Sequence, residues 1–513
     1  MFRQFFYAIA LFISSACGLI IEIVAGRLIA PYVGMSLYTW TAIIAVVLAG
    51  LSIGHWIGGR LAQPHVDAAR GGRRVAIALG LSAVSSLASL MLLRTVSGYL
   101  LGGNLSPIPA IVALTSALFL LPSLFVGIVS PILTKLAVDD DPLHPGPVIG
   151  RMYALGTLGS IAGTLSAGYF FISWIGSTGT VIAVAATYAV LGLAFAISDN
   201  LRAIFLAFIV VCGGSLSWWG ERIQAFTSPC HMESDYFCIR LADYSDQTGR
   251  PSTLMALDHL VHSINDRDNP GLLYSPYIHA VDELFKRRFA NKPKDFSPRA
   301  FFIGGGGYSL PRAWSDDYAQ PELIVAEIDP EVTRAASDSL WLDPGDPNIE
   351  IHHRDARALL QSLADDEPFD LIFGDAFHDI SIPPHLVTQE FHGEIAKRLS
   401  PGGVYAINVV DAGANPRFLY SLVKTLRQDF ASVEAWIERG EAGNPGRVTF
   451  VVLASDQPTP ANALTSVRGM DRNWRRWPTG DLESRIAKAR VPLLSDDFAP
   501  VDRLMSGLLL QPE

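Results

Sequence analysis

Three acidic residues stand where short apolar runs end: Glu327, Asp355 and Asp375. An earlier apolar run, 300–303, ends instead in four consecutive glycines, 304–307. Glycine lets the backbone pass close to a ligand where any Cβ would clash. An acid at the tip of the next parallel strand, about 20 residues further on, can accept hydrogen bonds from two ribose hydroxyls. This spacing predicts a nucleoside-binding βαβ unit.

The pattern also indicates which nucleoside. No third glycine stands where the pyrophosphate-binding GxGxxG form requires one, so an adenosyl ligand without a long phosphate chain, such as S-adenosylmethionine, fits better. Asp355 can accept a hydrogen bond from the adenine amino group, and the small Ala356 leaves room for the ring. The alternative for Asp355 is a helix N-cap, and one residue can do both. Asp375 at the pocket mouth can hold a cationic centre or deprotonate an attacking amine.

The chain around these residues alternates strand-like and helical segments from 299 to about 455, which predicts a parallel sheet with helices on both faces. The predicted strands are 300–303, 322–327, 349–352, 369–374, 403–410 and 447–453. The predicted helices are 308–317, 330–340, 356–364, 385–399 and 415–429. Ligands of such sheets bind at the carboxyl ends of the strands. We therefore predict a Rossmann-like domain over 299–513, preceded by a small β-rich lid subdomain over 221–298.

The first 220 residues are mostly apolar and predict a helical membrane domain. The segments of spanning length lie near 5–30, 38–58, 75–97, 108–136, 152–175, 178–197 and 203–220. Glycines four residues apart, such as Gly50, Gly54 and Gly58, predict close helix packing in lipid.

The whole chain has a net charge of −10 and no run of Lys and Arg, which argues against a nucleic-acid partner. His378, His385 and His392 recur at seven-residue spacing, but no matching ligand set predicts a metal site.

Glu22 is an ionisable residue inside the first apolar segment. Such a residue is a functional candidate, usually paired and facing the interior of the bundle. The alternative is a structural contact with Arg27 or with His55. Both interpretations stay open at this point.

Features of the sequence predict opposite sides of the membrane for the soluble part. Basic residues collect in the loop after the second segment, which predicts a cytoplasmic N-terminus, and seven crossings then put the soluble part outside the cell membrane. Cys230 and Cys238 could pair there, whereas in the cytosol they would be free thiols. S-adenosylmethionine, however, is made in the cytosol.

Several segments occur together in an order that resembles the spermidine synthase (polyamine aminopropyltransferase) family, in particular its membrane-fused bacterial type. They are SDYFCIRL, LMALDHLVHS, FFIGGGGY, IVAEIDPEV, HHRDARALL, FDLIFGDAFHD and LSPGGVYAINV, between about 233 and 455. The resemblance implies a class I methyltransferase-type fold. It implies roles for the following residues: Gly304, Gly305, Gly306 and Glu327 for the S-adenosyl ligand, Asp355 for adenine, Asp375 for activating the amine, and Tyr274, His378 and Asp379 for binding the acceptor.

The chain departs from the family in the part that binds the amine. Gly307 stands where the family has an aspartate, and Phe237 stands where it has a glutamine. The family's second acid after the fourth strand falls on His378, with Asp379 one place late, and Pro276 replaces a glutamate. A polyamine is a flexible polycation that needs acids along its groove. The nucleoside half of the pocket is therefore kept better than the amine half.

The function that we predict is aminopropyl transfer from decarboxylated S-adenosylmethionine to an amine such as putrescine, with Asp375 as the base. One alternative is methyl transfer from S-adenosylmethionine itself to a membrane-borne acceptor. Another is a non-catalytic nucleoside-binding domain coupled to a transport or sensing membrane half. The expected partners are the S-adenosyl co-substrate, a small amine or membrane-borne acceptor, and the lipid bilayer. No permanently bound cofactor is expected, and a homodimer is left open.

Overall fold

The computed structural model describes residues 2–63, 67–102, 106–196, 199–364, 367–377, 381–441, 443–444, 446–466, 468 and 472–510. These residues form two compact units, one ending at Glu233 and the other beginning at Ser234. The boundary follows the last long helix, which ends at Arg222.

The first unit is a bundle of long helices. They are α1 (Phe2–Val33), α2 (Leu37–Leu61), α3 (Ala68–Leu101), α4 (Pro107–Asp139), α5 (Pro145–Ser166), α6 (Ile172–Phe195) and α7 (Asp199–Arg222), followed by a two-residue strand β1 (Met232–Glu233). A π-helical turn, Ala167–Phe171, joins α5 to α6 without a gap. Within the described residues, six helices are long and apolar enough to cross a membrane, and Pro145–Phe195 counts as one of them.

The fifth and sixth predicted segments, 152–175 and 178–197, lie within this one helical stretch. The stretch is broken at Gly176, whose backbone is non-helical at φ 69° and ψ 172°. The next residue begins a new helix, because Ser177 N–H donates to the Glu233 carboxylate at 2.9 Å as to a cap. Sequence pattern cannot distinguish such an internal break from a loop, since apolar residues continue on both sides of it.

The helices approach each other closely where glycines face a neighbouring backbone. A Cβ added at Gly54 of α2 would overlap Leu124 O of α4. A Cβ at Gly159 of α5 would likewise overlap Phe12 O of α1. The predicted packing of small residues is thus confirmed at both helix pairs.

The second unit begins with a small antiparallel sheet. Its strands are β2 (Cys238–Asp243), β3 (Ser252–Leu257) and β4 (Leu260–Asp266), with the short helix α8 (Ser245–Thr248) between the first two. Helix α9 (Pro276–Arg288) then leads to the main sheet. The β-rich character that the sequence predicts ahead of the glycine segment is confirmed.

A nine-stranded sheet forms the rest of the unit. Its strands are β5 (Arg299–Ile303), β6 (Glu322–Ala326), β7 (Ile349–His352), β8 (Phe369–Gly374), β9 (Leu399–Ala412), β10 (Ser432–Glu438), β11 (Arg447–Ser455), β12 (Ala463–Ser466) and β13 (Arg472–Arg476). The helices are α10 (Ser309–Asp317), α11 (Pro330–Ser339), α12 (Ala356–Ser362), α13 (Gln389–Arg398), α14 (Arg417–Leu426), α15 (Thr479–Ala489), α16 (Val501–Leu504) and α17 (Ser506–Leu510). The strand order is β12-β13-β10-β11-β9-β8-β5-β6-β7.

The prediction of a parallel sheet holds for β5 to β9 and is wrong beyond them, where the strands are antiparallel. The sequence pattern missed β10 because it contains a charged residue on an inward face. Glu434 is 7% exposed, and Arg476 of β13 pairs with it at 2.8 Å. That partner lies 42 positions away, so nothing local signals that the charge can be buried.

The order of the parallel strands positions the site. β5 pairs with β6 on one side and with β8 on the other. The chain therefore builds outward from β5 to β7 and then returns to β8, so the strand order reverses beside β5. Ligands bind at such a reversal, outside the carboxyl ends of the strands.

Candidate active site

The glycine segment makes the turn out of β5. Gly304 has φ 98° and Gly306 has φ 51°. A residue with a Cβ atom is strained in these backbone conformations. A Cβ at Gly304 would lie 2.7 Å from Asp375 O, in the segment that follows β8. Glycine is therefore required here both by the turn and by the close approach of the two strand ends.

Glu327, directly after β6, folds back onto this turn. Its Oε2 accepts hydrogen bonds from Gly305 N at 2.8 Å and Gly306 N at 3.2 Å, and its Oε1 accepts one from Asp329 N at 3.0 Å. Burial raises the pKa of Glu327, although the three N–H donors act in the opposite direction. A carboxylate has about four lone-pair sites, so capacity remains for a ribose hydroxyl.

Asp355 after β7 has both of its oxygens engaged. Oδ1 accepts from Ala358 N at 3.0 Å, which is the N-cap contact that the sequence offered as the alternative. Oδ2 lies 2.7 Å from His385 Nε2. Burial raises the pKa of Asp355, but these two contacts outweigh it and hold the pKa below its usual value. The next residue, Ala356, is buried and lines the same cavity as Asp355.

Asp375 after β8 is held by two side chains. Oδ2 accepts from Tyr277 OH at 3.0 Å, and Oδ1 accepts from Asn408 Nδ2 at 2.8 Å. The surrounding protein raises the pKa of Asp375 to about 7, with burial as the main cause and the two donors opposing it. Asn408 is 4% exposed, and its Oδ1 has no hydrogen-bond partner within the described residues. A carboxyl group with a pKa near 7 is suited to general base catalysis at neutral pH.

These residues surround one small cavity of about 110 Å³. The predicted residues that line it are Gly304, Gly306, Glu327, Asp355, Ala356 and Asp375. Gly305 contributes to the same turn through its bond to Glu327. The cavity is also lined by Phe237, His262, Arg354 and Phe377, none of which the sequence singled out for a role there except Phe237 as a departure.

Of the acceptor-binding residues that the sequence predicted, Tyr274 does not line this cavity. His378 and Asp379 lie outside the described residues. Tyr274 is 8% exposed, and its hydroxyl donates to Asp266 Oδ2 at 3.2 Å. The tyrosine that reaches Asp375 is instead Tyr277, in the first turn of α9.

Gly307 occupies the position at which the family has an aspartate, and the space beside it is filled. Gly307 N–H donates to Ser263 Oγ at 2.7 Å, and a Cβ at Gly307 would lie 2.5 Å from that oxygen. Asn265 Nδ2 also donates to Gly307 O at 2.6 Å. The departure from the family is therefore built into the packing of β4 against the glycine turn.

Comparison with known proteins shows which sequences and structures this chain is similar to. No family model matches the chain. The chain is 34% identical over 137 residues to the polyamine aminopropyltransferase of Vibrio vulnificus, covering 26% of this chain and 44% of that one. It is 26% identical over 230 residues to a probable polyamine aminopropyl transferase of Bifidobacterium longum, covering 41% of this chain and 49% of the relative. The chain thus spans about half the length of these two relatives.

A third relative covers more of the chain. Polyamine aminopropyltransferase 2 of Streptomyces coelicolor is 24% identical over 458 residues, which is 83% of this chain and 77% of the relative. The chain is similar to polyamine aminopropyltransferases. This match is longer than the second unit alone, so it extends into the helical unit. Among solved structures, a probable spermidine synthase of Corynebacterium glutamicum aligns with 51% of this chain and 95% of its own, at 20% identity and a TM-score of 0.45.

Proposed function

We propose that this chain is a transferase that moves an aminopropyl group from decarboxylated S-adenosylmethionine to an amine such as putrescine. The observation that carries the proposal is Asp375, a carboxyl group with a pKa of about 7 in the cavity that the glycine turn and Glu327 also line. The three relatives named above support the same assignment.

The reaction needs alignment and one base. The lone pair of the amine nitrogen attacks the aminopropyl carbon bonded to the sulfonium sulfur. The C–S bond breaks, its electron pair stays on sulfur, and the sulfonium becomes the neutral thioether methylthioadenosine. The proton of the attacking nitrogen passes to the Asp375 carboxylate, which Tyr277 and Asn408 orient. Glu327 holds the ribose, while Asp355 and Ala356 receive the adenine.

A second candidate function is methyl transfer from S-adenosylmethionine itself, and one feature of the cavity favours it. This donor carries a carboxylate that decarboxylated S-adenosylmethionine lacks. Gly307 removes an acid that would repel that carboxylate, and Arg354 and His262 line the cavity as cationic or hydrogen-bonding partners for it. The two functions differ in the bond that is broken at sulfur, so their products distinguish them.

The assay uses the full chain in detergent or lipid nanodiscs, given each donor with a panel of amines. Mass spectrometry should find an aminopropylated amine and methylthioadenosine with the decarboxylated donor. S-adenosylhomocysteine and a methylated product with the other donor would instead support the second function. Tight binding of either nucleoside without any product would overturn both.

We also propose that the helical unit anchors the protein in the cell membrane with the soluble unit on the outer side. The distribution of basic residues supports this side when the stretch Pro145–Phe195, broken at Gly176, crosses twice, because seven crossings then separate a cytoplasmic N-terminus from the soluble unit. Cys230 and Cys238 are disulfide-bonded, as in an oxidising compartment, whereas Cys17 and Cys212 are free thiols. A C-terminal alkaline phosphatase fusion should be active and a C-terminal green fluorescent protein fusion dark. The reverse pattern places the soluble unit in the cytosol, where the donor is made.

A further inference from the structure

The surface of the helical unit has a groove between α3 and α7 that the transfer reaction does not use. Its volume is about 720 Å³. The polar residues that line it are Asp67, Arg70, Arg73 and Asn200, all near the beginnings of the two helices. The rest of its lining is apolar or glycine. The groove is therefore charged at one end and apolar along the remainder, which is the distribution of polarity in a phospholipid.

The charged end of the groove has more positive than negative charge. Asp67 is the N-cap of α3, since its Oδ1 accepts from Arg70 N at 2.8 Å, and its Oδ2 lies 3.8 Å from Arg70 Nε. Within the described residues Arg73, which is exposed in the groove, makes no ion pair. The next arginine, Arg74, is instead bonded to Leu61 O. The one carboxylate at this end is thus shared with Arg70, and the charge of Arg73 is left to attract an anion.

The length of the groove matches one leaflet of a bilayer. Its lining follows α3 from Arg70 to Leu81 and follows α7 from Asn200 to Phe208. The stretch of α3 rises about 16 Å. The hydrocarbon core of a bilayer is about 30 Å thick, so one leaflet contributes about half of that. An acyl chain whose headgroup lies at the arginines would therefore stay beside apolar residues along most of its length.

Phe205 of α7 forms the floor of the groove. Its ring is buried where two glycines leave room for it, because a Cβ at Gly80 of α3 would lie 2.8 Å from Phe205 Cε2 and a Cβ at Gly192 of α6 would lie 2.5 Å from its Cζ. The rest of α7 is little covered: 6% of its spanning window is buried, against 39–61% in the other spanning helices. In a membrane such an open groove faces lipid, so its occupant comes from the bilayer.

We propose that the groove binds an anionic phospholipid, with the phosphate at Arg70 and Arg73 and an acyl chain along the apolar part. Cationic side chains at the bilayer surface attract anionic headgroups, and arginine can donate two parallel hydrogen bonds to a phosphate. A zwitterionic phospholipid offers the same acyl chains, but its headgroup brings a further positive charge beside the arginines. The inference goes beyond the transferase function and rests on the proposed membrane placement of the helical unit.

The test titrates the delipidated full chain in detergent with phosphatidylglycerol or with phosphatidylcholine of the same acyl chains, and native mass spectrometry gives each affinity. Phosphatidylglycerol should bind at least about fivefold more tightly. Arg70→Gln together with Arg73→Gln should lower its affinity roughly 10- to 30-fold, because each arginine beside an anionic headgroup is worth about a fivefold factor. The matched control is Arg60→Gln together with Arg151→Gln, which removes two exposed arginines of the same unit outside the groove.

A second variant tests the apolar part without changing charge. Ile77 lines the groove and is 47% exposed, so the indole of Ile77→Trp can occupy the space of the acyl chain. It should lower the affinity for phosphatidylglycerol roughly fivefold or more, since several methylene groups lose their contacts. Leu206→Trp, on α7 outside the groove and also 47% exposed, should not. Elution as a single species and a parental Tm in detergent show that each variant is folded.

Equal affinity of the unsubstituted chain for the two lipids overturns the inference. Parental binding of phosphatidylglycerol in the folded Arg70→Gln and Arg73→Gln variant does so too, as does an equal loss in the Arg60→Gln and Arg151→Gln control. The titration involves neither the transfer reaction nor the orientation of the protein in the membrane. A failed transferase assay or a reversed reporter pattern therefore leaves the groove assignment intact, and failure of the lipid titration leaves both of those proposals intact.

Discussion

The nucleoside half and the amine half of the candidate site hold their carboxylates in different ways. Glu327 in the nucleoside half is held by three backbone N–H groups, all within 22 positions of it in the chain. Asp375 in the amine half is held by the side chains of Tyr277 and Asn408, which lie 98 and 33 positions away.

Because of this difference, we expect substitutions to affect the two halves of the site differently. Backbone donors persist through most substitutions, because the turn that presents them depends on a few glycines. Side-chain donors can be lost by a single substitution, and each also sets the ionisation of the group that it contacts. The nucleoside half should therefore govern affinity, and the amine half should govern rate and its pH dependence.

The largest expected effect is that of Asp375→Asn. Removing the base should lower kcat by about 10²–10⁴-fold, the usual contribution of general base catalysis. The affinity for methylthioadenosine should stay within about twofold of the parent, because the contacts of Glu327 do not involve Asp375. Steady-state kinetics and calorimetric titration measure the two quantities. Asp338→Asn, on the exposed surface of α11, is the control. Turnover at the parental rate in Asp375→Asn would show that another group takes the proton.

Glu327→Gln should act on affinity. A neutral amide makes weaker bonds with the glycine turn and with the ribose than a carboxylate does, and hydrogen bonds to charged groups are worth about 1.5–3 kcal/mol. We therefore expect the affinity for methylthioadenosine to fall roughly 10- to 100-fold in calorimetric titration. Glu331→Gln, in the first turn of α11, should leave the affinity unchanged. A variant with parental affinity and reduced kcat would assign Glu327 to the chemical step instead.

Gly307→Asp tests whether Ser263 fills the space that an aspartate side chain at position 307 would need. The new Cβ would meet Ser263 Oγ at 2.5 Å, and such overpacking costs about 1–3 kcal/mol. We expect a lower Tm in a thermal shift assay and no gain in affinity for putrescine. Adding Ser263→Gly should recover most of the Tm. A stable single variant that binds putrescine more tightly would mean that the family's acid can be restored without rearrangement.

Asn408→Leu should change the pH profile. The base works when it is ionised, so kcat/KM should rise with pH through about 7, the pKa of Asp375. Without the Asn408 N–H donor the ionised form is less stable, which raises that pKa and moves the rising limb to higher pH by about one unit. Asn291→Leu, at an exposed loop position, is the control. If kcat/KM falls but the midpoint of its pH profile does not move, Asn408 contributes only to packing.

Elements with strong local patterns were predicted well from the sequence. The helix predicted at 330–340 is Pro330–Ser339, and the strand predicted at 369–374 is Phe369–Gly374. The acids of the site were found because each follows an apolar strand. Tyr277 and Asn408 were missed, because neither stands in a recognisable motif and both matter only through a contact with Asp375. Tyr274 was chosen from the resemblance, but the helix that starts at Pro276 carries the next tyrosine to the site instead.

Local pattern was thus enough for the glycine turn, the acid after the following strand and the apolar helices, because backbone conformation and side-chain periodicity depend on near neighbours. Long-range packing set the rest. The order of the strands brings Asn408 to Asp375, and the pairing of β4 with its neighbours leaves Ser263 beside Gly307. Each of these depends on residues far apart in the chain, and no local rule reports which of them will meet.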